Sequence, residues 1–112
     1  MFRLLAAALP RLMGVRAGRH RRCVVIEKEA GSVEELLVAF LNELLYLNES
    51  QGLISIGARG CVECGKDGWR GRFAVQCCRR LSQEREVKAA THHGLAFSRT
   101  AGGVSCEVIF DL

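Results

Sequence analysis

The feature that most constrains the fold is a long amphipathic segment that begins after Ser32. The Ser32 hydroxyl can accept a hydrogen bond from the backbone N–H of Glu35 while the Glu35 carboxylate reaches back, an arrangement that begins many helices. From Val33 to about Asn48, apolar residues recur at helical spacing in a broad stripe formed by Leu37, Phe40, Leu41, Leu44, Leu45 and Leu47. A stripe of this width has to be covered, so the sequence predicts a central helix lying on a sheet or on another helix.

The segments before this helix show weaker patterns. Residues 2–13 carry apolar side chains at helical spacing and predict a first helix, which Pro10 should kink or shorten. The stretch from Gly14 to Arg22, with two glycines and several arginines, predicts a basic loop. Cys23 to Lys28 is rich in Val and Ile and predicts a short strand.

The segments after the central helix alternate between strand-like runs and turns. Leu53 to Cys64 and Trp69 to Cys78 flank a Gly-Lys-Asp-Gly sequence and predict a hairpin with a four-residue loop. Val87 to His92 and Leu95 to Phe97 predict further strands, and Val104 to Phe110 predicts a last strand opposite Leu95 to Phe97. The sequence therefore predicts an α+β fold, a single two-layer domain over residues 1–112 with two helices packed on a mostly antiparallel sheet.

Composition excludes several classes of protein. With 112 residues, of which 49% are hydrophobic and 25% charged, the chain suits one domain with a modest core, and no apolar run is long enough to cross a bilayer. Six cysteines without a convincing export signal favour reduced thiols in the cytoplasm.

Residues 1–22 contain six arginines and no acid. That excess attracts phosphates or acidic proteins, and the sequence leaves open both direct RNA contact and a solvated basic loop.

Three groups of residues could carry chemistry. Cys61 and Cys64 in a Cys-Val-Glu-Cys-Gly sequence could bind zinc or act in redox chemistry, with Cys77 and Cys78 as the nearby thiols. The segment from Glu86 to Gly94 places a lysine, a threonine and two histidines within six residues. The chain ends with an Asp beside the terminal carboxylate, which is an oxygen-rich pair suited to a hard cation. No nucleophile with an oriented base and no phosphate-binding glycine loop is evident in the sequence, so an independent enzyme is not predicted.

Three segments, taken together, resemble the archease family. They are the helix sequence from Ser32 to Leu47, the segment Glu86-Val-Lys-Ala-Ala-Thr-His-His-Gly-Leu, and the ending Val108-Ile-Phe-Asp-Leu. The family's signature Lys-Ala-x-Thr-Tyr-His is matched except that His92 replaces the tyrosine, and the usual final Asp-Ile or Asp-Leu is also present. The likeness extends over nearly the whole chain from Leu4 onward.

The resemblance implies an accessory protein of an RtcB-type RNA ligase, which would promote GTP-dependent guanylylation and turnover of the ligase in tRNA splicing. The association with tRNA would then be indirect, through the ligase, and no membrane would be involved. It also implies a divalent cation, most commonly Ca²⁺, with Asp111 and Leu112 as its ligands. Lys88, Thr91 and His93 are expected to form the partner-binding surface near that ion.

The sequence departs from the family pattern at its start. Met1 falls where the family's first helix is already under way, so the usual first strand with its His-Thr-Ala-Asp-like segment is expected to be missing. No other acid precedes Glu27, and Ca²⁺ binding should therefore be weaker. Two alternatives remain open: a zinc- or redox-active cysteine module, and a general chaperone or modulator of enzymes that process nucleic acids.

Overall fold

The computed structural model of the chain describes the backbone of residues 2–83, 89–100 and 103–111, and the side chains of Ala6 and residues 8–83. Two helices and five strands follow one another as α1 (Phe2–Met13), β1 (Val15–Ala30), α2 (Val33–Gln51), β2 (Leu53–Gly65), β3 (Gly68–Gln83), β4 (Ala89–Thr100) and β5 (Gly103–Asp111). Strands β1, β3 and β2 form an antiparallel sheet in that order, and β4 pairs with β5 in a second, two-stranded sheet. The predicted α+β class is confirmed.

Helix α2 is capped at both ends by hydrogen bonds between residues that are close in sequence. The Glu35 N–H donates to Ser32 Oγ at 3.1 Å, and Glu35 Oε2 accepts from the Gly31 N–H at 3.1 Å. The helix ends at Gly52, which adopts φ 65° and donates its N–H to the Asn48 carbonyl at 3.0 Å. A left-handed residue at this position is a common helix terminator that glycine adopts without strain. The predicted start is confirmed, and the helix runs three residues beyond the predicted end.

The core lies between α2, α1 and one face of the three-stranded sheet. Every residue of the predicted α2 stripe is buried. The rings of Phe40 and Phe73 contact each other within the core, with centroids 4.5 Å apart and planes tilted by 45°. The other faces of the core are supplied by side chains from α1 and the sheet, namely Ala6, Leu9, Met13, Ile26, Ala58, Val75 and Cys77. Within the described part of the chain, no helix is long and apolar enough to cross a membrane.

The first helix predicted over residues 2–13 is confirmed, since α1 runs through Pro10 to Met13. Two local predictions were wrong. Most of the basic loop predicted for residues 14–22 is instead the first half of β1, which begins at Val15, because β3 continues past Cys78 and supplies its partner, with Val15 opposite Gln83. The hairpin turn between β2 and β3 contains two residues rather than four, since Gly65 pairs directly with Gly68.

The β4–β5 hairpin matches the predicted pairing of Leu95 to Phe97 with the last strand, because Ala96 lies opposite Glu107 and Phe97 opposite Cys106. Thr100 lies opposite Gly103 at the other end of this pairing. The register is irregular between Thr91 and Ala96, which is where the sequence pattern separates two strand-like pieces. Strand β4 also lies beside α2, so this helix contacts both sheets.

The Phe73 ring sits against Gly71, and this close approach generates a stability prediction. A Cβ at Gly71 would lie 2.6 Å from Phe73 Cε2 and 3.2 Å from Leu36 Cδ2. We expect Gly71→Ala to push the ring away from Phe40 and to lower the free energy of unfolding by roughly 1–3 kcal/mol. Urea denaturation followed by circular dichroism would measure the change.

Gly57→Ala is the matched control, because no atom lies within 4 Å of a Cβ at that strand position. It should leave the free energy of unfolding unchanged or raise it by up to about 1 kcal/mol, through a less flexible unfolded chain. Equal losses for the two variants would contradict the proposed packing of Phe73.

Candidate functional site

The terminal hairpin brings together the two segments that carry the predicted site. Asp111 at the end of β5 lies opposite Ala89 at the start of β4, and Thr91 lies opposite Ile109. Directly opposed residues of antiparallel strands have Cα atoms about 4.5–5.5 Å apart. The backbone of Asp111 therefore lies beside the residue that follows Lys88 in the chain, although the two segments are far apart in sequence. Lys88 and Leu112 themselves lie outside the described residues.

His93 lies in the irregular part of the pairing between β4 and β5. Between Thr91 and Ala96 the chain advances five residues along β4, while the paired positions on β5 advance only from Ile109 to Glu107. Regular alternation of side chains between the two faces of a strand holds only where the ladder is continuous. Strand alternation therefore does not decide which face His93 occupies, and its place on the partner-binding surface stays a prediction.

The cysteines do not form one cluster. Cys61 lies opposite Arg72 and Cys64 opposite Trp69, near the β2–β3 turn, whereas Cys77 lies opposite Ser55. Along β3, Arg72 and Cys77 are separated by roughly 17 Å at about 3.4 Å per residue. Cys61 and Cys64 are exposed, and Cys77 and Cys78 are buried. Among the side chains that the structure describes, no three His, Cys, Asp or Glu residues come together as a metal site.

The buried thiol of Cys77 is also unsuited to redox chemistry. Burial raises its pKa to about 11, and the neighbouring Cys78 and Cys23 thiols act in the same direction. A thiol with this pKa is protonated at neutral pH and is a poor nucleophile. The separation of the cysteines and the protonation of Cys77 both argue against a module that combines all four of them, while redox chemistry of Cys61 with Cys64 alone stays a prediction.

The open face of the three-stranded sheet carries paired charges at one end. Arg70 Nη2 lies 3.0 Å from Glu29 Oε1, and Arg72 Nε lies 3.2 Å from Glu27 Oε1. These pairs join β1 to β3 near the β2–β3 turn. On the α2 side of β1, Lys28 Nζ lies 3.2 Å from Glu43 Oε2.

At the opposite end of the same two strands, arginines are exposed and form no such pairs with the acids that the structure describes. Arg16, Arg19, Arg21 and Arg22 project from β1, and Arg79 adds a fifth exposed guanidinium from β3. The basic excess predicted from the sequence covers residues 1–22 and does not include Arg79. The adjacent pair Arg79-Arg80 was the available signal, but its position depends on the pairing of β3 with β1, which local sequence does not reveal.

Exposure predicts which thiols react. We expect Cys23, Cys61 and Cys64 of the folded protein to be alkylated readily by iodoacetamide at pH 8, because their side chains are exposed. Cys77 and Cys78 are buried, and Cys77 is protonated, so their alkylation should be at least roughly 100-fold slower. Peptide mass spectrometry of timed samples, with a urea-unfolded control, measures each site. Labelling of Cys77 as fast as Cys61 would contradict this arrangement.

A family model and two known proteins are similar to this chain in sequence. The model of the Archease protein family (MTH1598/TM1083) matches residues 1–112. Protein archease of Thermococcus gammatolerans is 33% identical over 97 residues, which cover 82% of this chain and 68% of that protein. Protein archease of Thermococcus kodakarensis is 29% identical over 97 residues, with the same coverage.

A solved structure is similar over most of the chain. The crystal structure of an archease from Thermotoga maritima, described as a possible chaperone, matches with a TM-score of 0.67 and 19% sequence identity. The match covers 96% of this chain and 76% of that chain. At this identity the likeness concerns the fold, and it agrees with the archease-like architecture predicted from the sequence. Since the family model spans residues 1–112 and a relative shares 33% identity over most of the chain, this protein belongs to the archease family.

Proposed function

We propose that this chain is an accessory protein of an RtcB-type RNA ligase, acting in the cytoplasm, and that it is not itself an enzyme. Its role is to promote GTP-dependent guanylylation of the ligase and to restore ligase turnover during tRNA splicing. Membership of the archease family supports the proposal. The observation that carries it is the pairing of Asp111 with Ala89, because this register joins the two segments that match the family's signatures.

The proposed site combines a carboxylate and a cation at one end of the terminal hairpin. Asp111 and the carboxylate of Leu112 are hard oxygen donors, which suit Ca²⁺, and water or the ligase would complete a shell of 6–8 oxygens. When bound, the ion supplies a fixed positive charge at this end of the hairpin. The start of β4 lies beside the end of β5, so the backbone register agrees with Lys88 belonging to the same surface.

An accessory protein acts by binding one state of its partner more tightly than another. In this proposal, Lys88, Thr91 and His93 contact the ligase and favour its guanylylation-competent state. Their role is to bind and orient the partner, and no covalent step takes place on this chain. The tRNA is contacted by the ligase.

A second candidate function is that of a general chaperone for enzymes that process nucleic acids. The description of the Thermotoga maritima archease as a possible chaperone favours it. Affinity capture with the cognate ligase and with unrelated RNA-processing enzymes distinguishes the two functions. Selective capture of the ligase supports the accessory role, and equal capture of all partners supports the chaperone.

Replacing the Asp111 carboxylate tests the ion site. We expect Asp111→Asn to weaken Ca²⁺ binding by at least about tenfold, since changes even to the partners of metal ligands cost roughly 10- to 100-fold. Stimulation of ligase guanylylation should fall accordingly and recover in part with excess Ca²⁺. Calorimetry measures ion binding, and transfer of radiolabelled GMP from GTP to the ligase measures stimulation.

Asp67→Asn is the matched control, because Asp67 is an exposed aspartate in the β2–β3 turn. It should leave ion binding and stimulation unchanged. Full stimulation by Asp111→Asn would reject the role of the ion. A wild-type chain that does not stimulate the ligase would reject the accessory function altogether.

Replacing the Lys88 ammonium separates partner binding from ion binding. We expect Lys88→Met to lower the affinity for the ligase by about 1–3 kcal/mol, as for a charge lost from a partner surface, and to leave Ca²⁺ binding unchanged. Lys66→Met, which removes an exposed lysine from the β2–β3 turn, is the control. Normal ligase affinity in Lys88→Met, measured by surface plasmon resonance, would exclude Lys88 from the surface.

A further inference from the structure

Five exposed arginines lie together at one end of the β1–β3 ribbon. We call this surface the basic end and define it as Arg16, Arg19, Arg21 and Arg22 of β1 with Arg79 of β3. Strand β1 is an edge strand, because the sheet order is β1-β3-β2. The basic end is therefore open to solvent along the outer edge of the sheet, where Arg21 and Arg22, as consecutive strand residues, point to opposite faces.

Among the described residues, the charges of the basic end are unpaired. None of its five arginines forms an ion pair with a carboxylate there, whereas Arg70 and Arg72 at the other end of the same strands both do. The sequence agrees with the contrast, since residues 15–26 and 71–83 contain no Asp or Glu, and the next acids along the chain, Glu84 and Glu86, lie outside the described residues. Within the described part of the chain, positive charge is therefore concentrated at this end.

The backbone spreads these arginines along an edge. Between Ala17 and Arg21, β1 advances four residues while β3 advances only from Arg80 to Cys78, so Arg19 lies in an irregular stretch. A Cβ at Gly18 would lie 3.3 Å from the Arg79 carbonyl oxygen, so the two strands remain close here. From Arg16 to Arg22 the strand spans up to roughly 20 Å at about 3.3 Å per residue.

We propose that the basic end binds the phosphodiester backbone of RNA directly. Guanidinium groups form paired hydrogen bonds with phosphate oxygens, and a row of such groups suits a polymer with regularly repeated negative charge. Contacts to phosphates carry no sequence information, so binding is independent of base sequence and depends strongly on salt. The choice of RNA over other polyanions rests on the proposed function beside an RNA ligase.

Direct contact extends the proposed function. The ligase alone would otherwise hold the RNA, whereas a basic edge on the accessory protein would place both proteins on one RNA. An acidic protein is the competing ligand for this surface. Leu81, which is 68% exposed on the last part of β3, is an apolar side chain that such a protein could cover.

The test uses the full chain without ligase. Fluorescence anisotropy with labelled single-stranded RNAs of two unrelated sequences measures affinity over a series of salt concentrations. We expect a triple variant, Arg19→Gln, Arg21→Gln and Arg22→Gln, to bind RNA at least about tenfold more weakly at low salt. The slope of log affinity against log salt should also become shallower by about 2, from roughly 0.7 per phosphate contact.

The matched control removes the same charge elsewhere. Arg59→Gln, Arg70→Gln and Arg72→Gln together remove three exposed arginines near the other end of the sheet, and RNA affinity should change less than about twofold. Replacing Arg19, Arg21 and Arg22 by Lys should retain most of the affinity, because phosphates attract any cation. Circular dichroism verifies the fold of each variant, and Arg19→Gln alone repeats the test if the triple variant does not fold.

Several outcomes would overturn the proposal. These are no RNA binding by the wild type at low salt, equal loss of binding in the triple variant and its control, and preferential binding of polyglutamate over RNA. GTP-dependent guanylylation of the ligase is measured in parallel on the same variants, in assays without RNA. Normal stimulation without RNA binding would refute this inference alone, whereas RNA binding without stimulation would refute the proposed function alone.

Discussion

Burial of the apolar surface of α2 is the constraint on which the rest of the molecule depends. This helix contacts α1, all three strands of the larger sheet, and β4. Because it is covered from several sides, its buried surface is wider than the predicted stripe and includes Leu36 and Val38. Each large apolar side chain removed from water contributes about 1.5–3 kcal/mol before the cost of ordering it. Among the elements whose side chains the structure describes, α2 buries the most apolar residues, and it contacts both sheets.

Hydrogen bonds at the C-terminal end of α2 fix the position of the last part of β3. Asn48 is buried, and its amide donates to Gln83 Oε1 at 2.8 Å while its side-chain oxygen accepts from Arg80 Nη1 at 3.0 Å. The Arg80 N–H donates to the Gly52 carbonyl at 2.7 Å. These bonds fasten the last part of β3 to the end of the helix, and buried polar groups are tolerated because they are paired in this way. The first half of β1 pairs with this fixed end of β3. The position of the basic end therefore follows from the packing of α2.

Charge is distributed unevenly along the β1–β3 ribbon. The pairs that Arg70 and Arg72 form with glutamates are exposed, with side-chain exposures of 71% for each arginine, and exposed pairs contribute only about 0–1 kcal/mol. Their contribution to stability is small, and so is the cost of leaving the arginines of the basic end unpaired. The difference between the two ends therefore matters mainly for what each end attracts from solution.

The sequence by itself determined the elements whose signals lie within a few residues of one another. The Ser32 cap and the apolar periodicity defined α2, and the turn residues located the β2–β3 hairpin. The terminal segments carried the resemblance to archeases. Only the tertiary structure decided that residues 15–22 form a strand, that Cys61 and Cys77 lie far apart, and that Asp111 lies opposite Ala89. The physical reason is that helix caps and turns are stabilised by neighbouring residues, whereas a strand is stabilised by hydrogen bonds to a partner whose place in the chain and register are not encoded locally.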